Sequence, residues 1–355
     1  MKIARLGVAI AALAIAMAPA LAFHDGGVAH CNGCHTMHNS QNGLAMNGPD
    51  VDTDGVPIGG AAVGVGYPDL LLFPYLSDVC LRCHAGDGGY HVWASNVLSP
   101  GAEHGGGNFV FLEEDNINDA HAGASNPVDG YSAGHTLASG IKGTTSDPTF
   151  VTAPGGGYLA SDLNCVSCHD PHGNESFRLL YQAGQVSSAN SGASTTWTTT
   201  LEASGVSVFG GSESNAYHNA YNAGYSEWCA TCHGDFHAAS GSMIHPSGEF
   251  LKARQAAVYN SYMGSTDCFN NEPVSGSPCG SGTAAVAYLH TVPFEDAGMH
   301  NGTYIGGAST ATSKVACMSC HRAHATSAMD AGRWDFNVTG LAEDGHESGS
   351  FALPN

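Results

Sequence analysis

Charge is scarce in this sequence, and positive charge is scarcest. Only 12% of the 355 residues are charged, with 10 Lys and Arg against 31 Asp and Glu. The net charge of −21 at pH 7 excludes the basic surface that nucleic-acid binding requires. Long periodic apolar segments are also few, while glycine numbers 48. Such a chain cannot offset its conformational entropy by aliphatic burial alone. Something else must organise it, and 12 cysteines and 20 histidines are the unusual resource available.

The chain begins with a basic Met1-Lys2-Ile3-Ala4-Arg5, an apolar run from Leu6 to about Ala18, and Ala20-Leu21-Ala22. This is the pattern of a secretory signal peptide cleaved after Ala22. Residues 1–22 are then the signal, and 23–355 form one exported domain. No cysteine stands at the cut, so lipidation there is not expected; the first is Cys31. A second apolar stretch, Pro57 to Leu76, contains Pro57, Pro68, Pro74 and Asp69. Prolines and a buried charge are costly in lipid, so this reads as a loop, and no membrane span is expected after signal removal.

Ten cysteines fall into one motif repeated five times: Cys31, Cys34 and His35; Cys80, Cys83 and His84; Cys165, Cys168 and His169; Cys229, Cys232 and His233; Cys317, Cys320 and His321. C-x-x-C-H is the attachment signal of c-type haem. Two thiols three positions apart lie on one face of a helical turn, where they can form thioethers to the two haem vinyl groups. The following histidine lies beneath the iron as proximal ligand. Zinc half-sites do not need a histidine after every second cysteine, and a redox dithiol would not recur five times. Five haem c groups are therefore expected. Cys268 and Cys279 remain, and in an oxidising compartment their default is a disulfide contributing roughly 2–3 kcal/mol.

Fifteen histidines remain for five distal positions. His38, His172 and His324 each stand three residues after a proximal histidine, and His237 and His91 follow theirs by four and seven. A histidine so placed cannot curl round its own macrocycle, but it can reach the iron of an adjacent haem. His135 and His245 lie upstream of motifs and are further candidates. An iron held by two histidines is closed to substrate and low in potential, which favours electron carriage over catalysis. The motif spacings are irregular, and Gly105-Gly106-Gly107, Asp147-Pro148 and Pro154-Gly155-Gly156-Gly157 are turn signals. The fold class expected is a multihaem cytochrome c: mostly loops and turns, a few short helices and little strand, wrapped around a linear haem stack.

The motif neighbourhoods carry a resemblance. Phe23-His24 with Gly26-Gly27-Val28-Ala29, the run from Cys31 to Ser40, Thr152 to Gly156 with Cys165 to Gly173, Ser226 to His233, and Cys317 to Ala325 are similar to the outer-surface multihaem c-type cytochromes. Those proteins polymerise into extracellular filaments, or cytochrome nanowires. The resemblance implies bis-histidine haems in a continuous chain of alternating parallel and T-shaped pairs. It also implies that His38 ligates a haem of the neighbouring subunit, the one on Cys317, Cys320 and His321. The family pattern has a sixth motif, and this sequence shows five.

The leading expectation is thus an extracellular electron conduit rather than an enzyme. Its partners would be copies of itself, other cytochromes and extracellular metal oxides. A monomeric periplasmic shuttle needs the same haems without a ligand from a partner. A multihaem reductase needs an open iron, for which five motifs ending in histidine give little support.

Overall fold

A computed structural model describes residues 31–36, 40–41, 44–45, 50–51, 57–58, 67–87, 91–97, 105–113, 129–189, 191–205, 219–237, 245–256, 292–297, 310–333 and 336. The signal peptide, His38, Cys268 and Cys279 lie outside these residues.

Helix α1, Leu76–His84, is nine residues long and carries the second motif. Ser77, Asp78 and Leu81 lie on its buried side, Asp78 stands in the first turn, and Arg82 and His84 stand in the last. The charges of Asp78 and Arg82 complement the helix dipole. Asp78 is 1% exposed and accepts hydrogen bonds from Ser139 Oγ and the Gly140 and Ile141 amides. That ties α1 to a loop some sixty positions away. Burial outweighs those bonds and raises the Asp78 pKa above its ordinary value.

Among the described residues the remaining α-helices are single turns: α2 Tyr225–Cys229, α3 Gly234–His237 and α4 Cys317–Cys320. The described strands pair as two-stranded antiparallel ribbons: β1 Ser40–Gln41 with β2 Leu44–Ala45, β3 Asp50–Val51 with β4 Pro57–Ile58, β5 Val186–Ser188 with β6 Ser194–Thr196, and β7 Glu202–Ser204 with β8 Ala220–Ala223. This is the loop-rich, helix-poor fold the composition implies. No helix among the described residues is long and apolar enough to cross a membrane.

Two apolar clusters brace the motifs. Around Trp93, fully buried, pack Leu81, Phe109, Val110, Phe111, Leu112 and Leu137. Asn108 caps the 3-10 turn Phe109–Leu112 by accepting from the Val110 amide, and it accepts from Ala94 as well. The second cluster centres on Trp197 stacked on Trp228, with ring centroids 4.1 Å apart, alongside Tyr181, Leu201, Tyr225 and Met318. Trp228 Nε1 donates to the Tyr181 carbonyl at 2.8 Å, so its one polar atom is satisfied inside the cluster.

Buried acids join the second cluster to the chain beyond it. Glu295 pairs in bridges with Tyr221 and Lys314, and its carboxylate accepts from the Ser226 amide at 2.8 Å. Asp296 accepts from the Thr312 and Ser313 hydroxyls. Neither cluster stands apart from the motifs: Leu81, Trp228 and Met318 are neighbours or members of the C-x-x-C-H segments themselves.

Candidate functional site

Each motif sits on one helical turn. The histidine amide donates back to the first cysteine carbonyl in four of them: His35 to Cys31, His169 to Cys165, His233 to Cys229 and His321 to Cys317, at 2.9–3.1 Å. The second motif, the one remaining, occupies α1. Local chemistry sets two of these turns. Ser167 Oγ accepts from the Asn164 amide, and Ser319 Oγ accepts from the Ala316 amide, both at 3.0 Å. The serine inside C-V-S-C-H and C-M-S-C-H thus closes the turn on the residue before it.

The motifs touch one another in sequence order. Cys34 and Cys83 lie within electrostatic reach, Cys80 and Cys165 are hydrogen-bonded, Cys168 lies near Cys232, and Cys229 is hydrogen-bonded to Cys317. These thiols stand in for the thioether sulfurs of the attached state. The contacts alternate between second cysteines and first cysteines along the chain. The second, third and fourth motifs therefore each meet the motif before through one cysteine and the motif after through the other.

The proximal histidines are oriented from behind. His35 Nδ1 donates to the Asp69 carbonyl at 2.9 Å, His169 to Arg178 at 2.8 Å, His233 to Pro154 at 2.8 Å and His321 to Asp330 at 2.7 Å. With the proton on Nδ1, Nε2 keeps its lone pair for a metal. Burial first, and then His135, pushes His233 down to about 4; burial lowers His321 as well. Both shifts favour the neutral ring, the form that ligates.

Three proximal rings face a second imidazole across a gap. His35 and His172 have centroids 6.2 Å apart, His135 and His233 5.9 Å, and His245 and His321 6.2 Å. Two imidazole–metal bonds of about 2.0–2.1 Å each, plus a ring radius on either side, require roughly 6 Å. The gaps are the width of one iron. His324 is buried beside His169, and burial first and His169 second push it down to about 3. His135 Nδ1 donates to the Ala323 carbonyl at 2.7 Å, so a distal ring is oriented by the same device as a proximal one. The residues present therefore fit covalently attached, bis-histidine haems.

The pairing differs from a nearest-neighbour expectation. His172, beside the third motif, faces the first motif rather than an adjoining one. His324, beside the fifth, stands by the third. Each reaches two motifs back because the alternating cysteine contacts put like-facing motifs two apart. His245, not a partner's residue, faces His321 within this chain. His237 is engaged otherwise: its Nδ1 meets Ser247 Oγ at 3.0 Å and its Nε2 lies 3.7 Å from Glu227. His91 packs over Gly86, next to the end of α1.

Sequence reading missed the carbonyl acceptors at Asp69, Pro154, Arg178 and Asp330. One signal was present: Phe177-Arg178-Leu179 and Met329-Asp330-Ala331 occupy the same offsets from His169 and His321.

No family model matches the chain. It is 33% identical over 381 residues to the C-type cytochrome OmcS of Geobacter sulfurreducens, covering 90% of this chain and 82% of that protein. Two solved structures are similar. The Outer Membrane Cytochrome S Filament of that organism has a TM-score of 0.65 at 30% identity, covering 88% of this chain and 85% of the other. The OmcS nanowires seen by cryo-electron microscopy have a TM-score of 0.65 at 27% identity, covering 93% and 94%.

Proposed function

The chain belongs to the family of the C-type cytochrome OmcS, and from that premise we propose that it is a pentahaem, filament-forming carrier of electrons outside the cell. Haem c supplies one-electron iron chemistry when bound. The protein attaches, ligates and spaces it. Residues 23–355 act as one domain after removal of the signal peptide, and Cys268 and Cys279 close a disulfide.

The observation that carries this reading is the set of facing imidazoles about one iron apart, on motifs that touch in sequence order. His172 serves the motif of His35, His324 that of His169, His135 that of His233 and His245 that of His321. At these four irons both axial positions are taken by histidine, which leaves no site for a substrate there and supports carriage rather than catalysis. The contacts between successive cysteines keep neighbouring groups at the short range that electron hopping needs.

His38 continues the series of His172 and His324. It lies in none of the four pairings above, which leave the iron of the second motif, that of His84, without a second histidine, and His38 serves such an iron in an adjoining copy. The similar solved structures are filaments, which supports assembly of this chain with copies of itself. The acidic surface suits release from the cell and contact with cationic or mineral acceptors and other cytochromes.

Mass spectrometry of the mature protein should show five haem additions, and electron microscopy should show filaments of fixed repeat. His38→Ala should keep the five haems and abolish the filaments. Discrete monomers from the unmodified protein would instead identify a periplasmic shuttle.

A further inference from the structure

Six residues other than glycine have positive φ among the described residues, and they form three adjacent pairs: Asp69-Leu70, Arg178-Leu179 and Asp330-Ala331, with φ between 50° and 58°. None is a residue type that favours this region strongly, apart from the two aspartates. Each pair is the centre of a turn with both central residues left-handed, a geometry that ordinarily calls for Asn-Gly.

All three turns make the same three bonds to an odd-numbered motif. The carbonyl of the first residue accepts from the proximal Nδ1 of His35, His169 or His321. The carbonyl of the second accepts from the amide just after that histidine, at 2.7–2.8 Å. The amide two residues beyond the pair donates to the second cysteine of the motif, at 2.8–3.1 Å. The clamp is built from 34 residues away for His35 and from nine away for His169 and His321. The same geometry thus recurs through different lengths of chain. The fourth motif obtains its Nδ1 acceptor otherwise, from Pro154 beside Gly155 at φ +67°.

We infer that these left-handed pairs are positioning elements that set the imidazole plane and donor strength at the first, third and fifth irons. The inference rests on the haem-carrying function proposed above. Only a chain that reverses at both residues presents two successive carbonyls to one histidine, one at the ring and one at the following amide. A carbonyl held on Nδ1–H makes the imidazole a stronger donor through Nε2 and favours the oxidised iron.

The test compares Asp330→Pro with Asp330→Gly in the assembled holoprotein. Proline cannot adopt φ +58°, so it turns the carbonyl away, whereas glycine keeps it. Asp330→Pro should retain five haems by mass. It should shift the oxidised-to-reduced ratio of one iron roughly tenfold towards reduced, about 59 mV positive, and move one low-spin resonance signal. Asp330→Gly should move neither. Unchanged potentials and signals in Asp330→Pro, or equal shifts in both variants, overturn the inference.

Should Asp330→Pro fail to mature, proton exchange in the unmodified protein decides. Slowly exchanging Nδ1–H protons on His35, His169 and His321 support the clamp, and freely exchanging ones overturn it. Absence of covalent haem from the unmodified protein would instead count against the proposed function.

Discussion

Gly155, Gly156 and Gly157 form a run that reads as a featureless turn, yet a methyl group should be costly at Gly156 and nearly neutral at Gly157. A Cβ at Gly156 would sit 1.7 Å from the Cys232 carbonyl oxygen and 2.7 Å from its carbon. Backbone cannot yield as a flexible side chain can, so the two segments must separate by more than an ångström. Three hydrogen bonds cross or brace that contact: His233 Nδ1 to Pro154, the Asp235 amide to Gly155 and the Gly156 amide to Ala153. At about 1 kcal/mol net for each, Gly156→Ala should cost about 3 kcal/mol. At Gly157 a Cβ meets nothing within 4 Å, and Gly157→Ala should stay within about 0.5 kcal/mol of the parent. Thermal unfolding of both holoproteins reads the stability difference. Resonance spectra should show one perturbed iron, that of the fourth motif, in Gly156→Ala alone. Equal melting and equal spectra for the two variants would refute the close approach and the role given to the Pro154 carbonyl.

Two further outcomes follow from the same geometry. His172→Ala should leave one iron in five high-spin, and spectroscopic assignment should place it on the first motif; a change confined to the second or third motif would contradict the facing pair of His35 and His172. Burial first raises the Glu295 pKa above its ordinary 4.5, so its contribution is fullest below that value and is lost as pH rises through the folded value. Glu295→Gln keeps an oxygen to accept from Ser226 and should flatten that decline, measured as melting temperature against pH.

Much of the chemistry was legible from local pattern. The five attachment motifs, the proximal histidines and the candidate distal histidines His135, His172, His245 and His324 all follow from residue type and spacing. The loop-rich fold followed from too much glycine and too few apolar periods. The acceptors behind the proximal rings were not legible, because a carbonyl belongs to every residue and has no signature in the side chain. Asp69-Leu70, Arg178-Leu179 and Asp330-Ala331 hide further, since their turns lack the Asn-Gly pattern that marks two left-handed residues. Nothing in the sequence marks Asp78 and Glu295 as buried, because their burial depends on amides and hydroxyls of Ser139, Gly140 and Ser226 that lie far away in sequence.

The sequence by itself determined which atoms can bond to haem. Thioether formation and the proximal bond need only two thiols and an imidazole on one turn, and that is a property of five consecutive residues. Which second imidazole faces His35, His233 and His321 was decided by the tertiary structure alone. That choice depends on alternating contacts such as Cys80 with Cys165 and Cys229 with Cys317, which bring His172 to His35 and His245 to His321. A ligand bond acts over about 2 Å, while the partners stand tens or hundreds of positions apart along the chain, so only the folded path can select among the spare histidines.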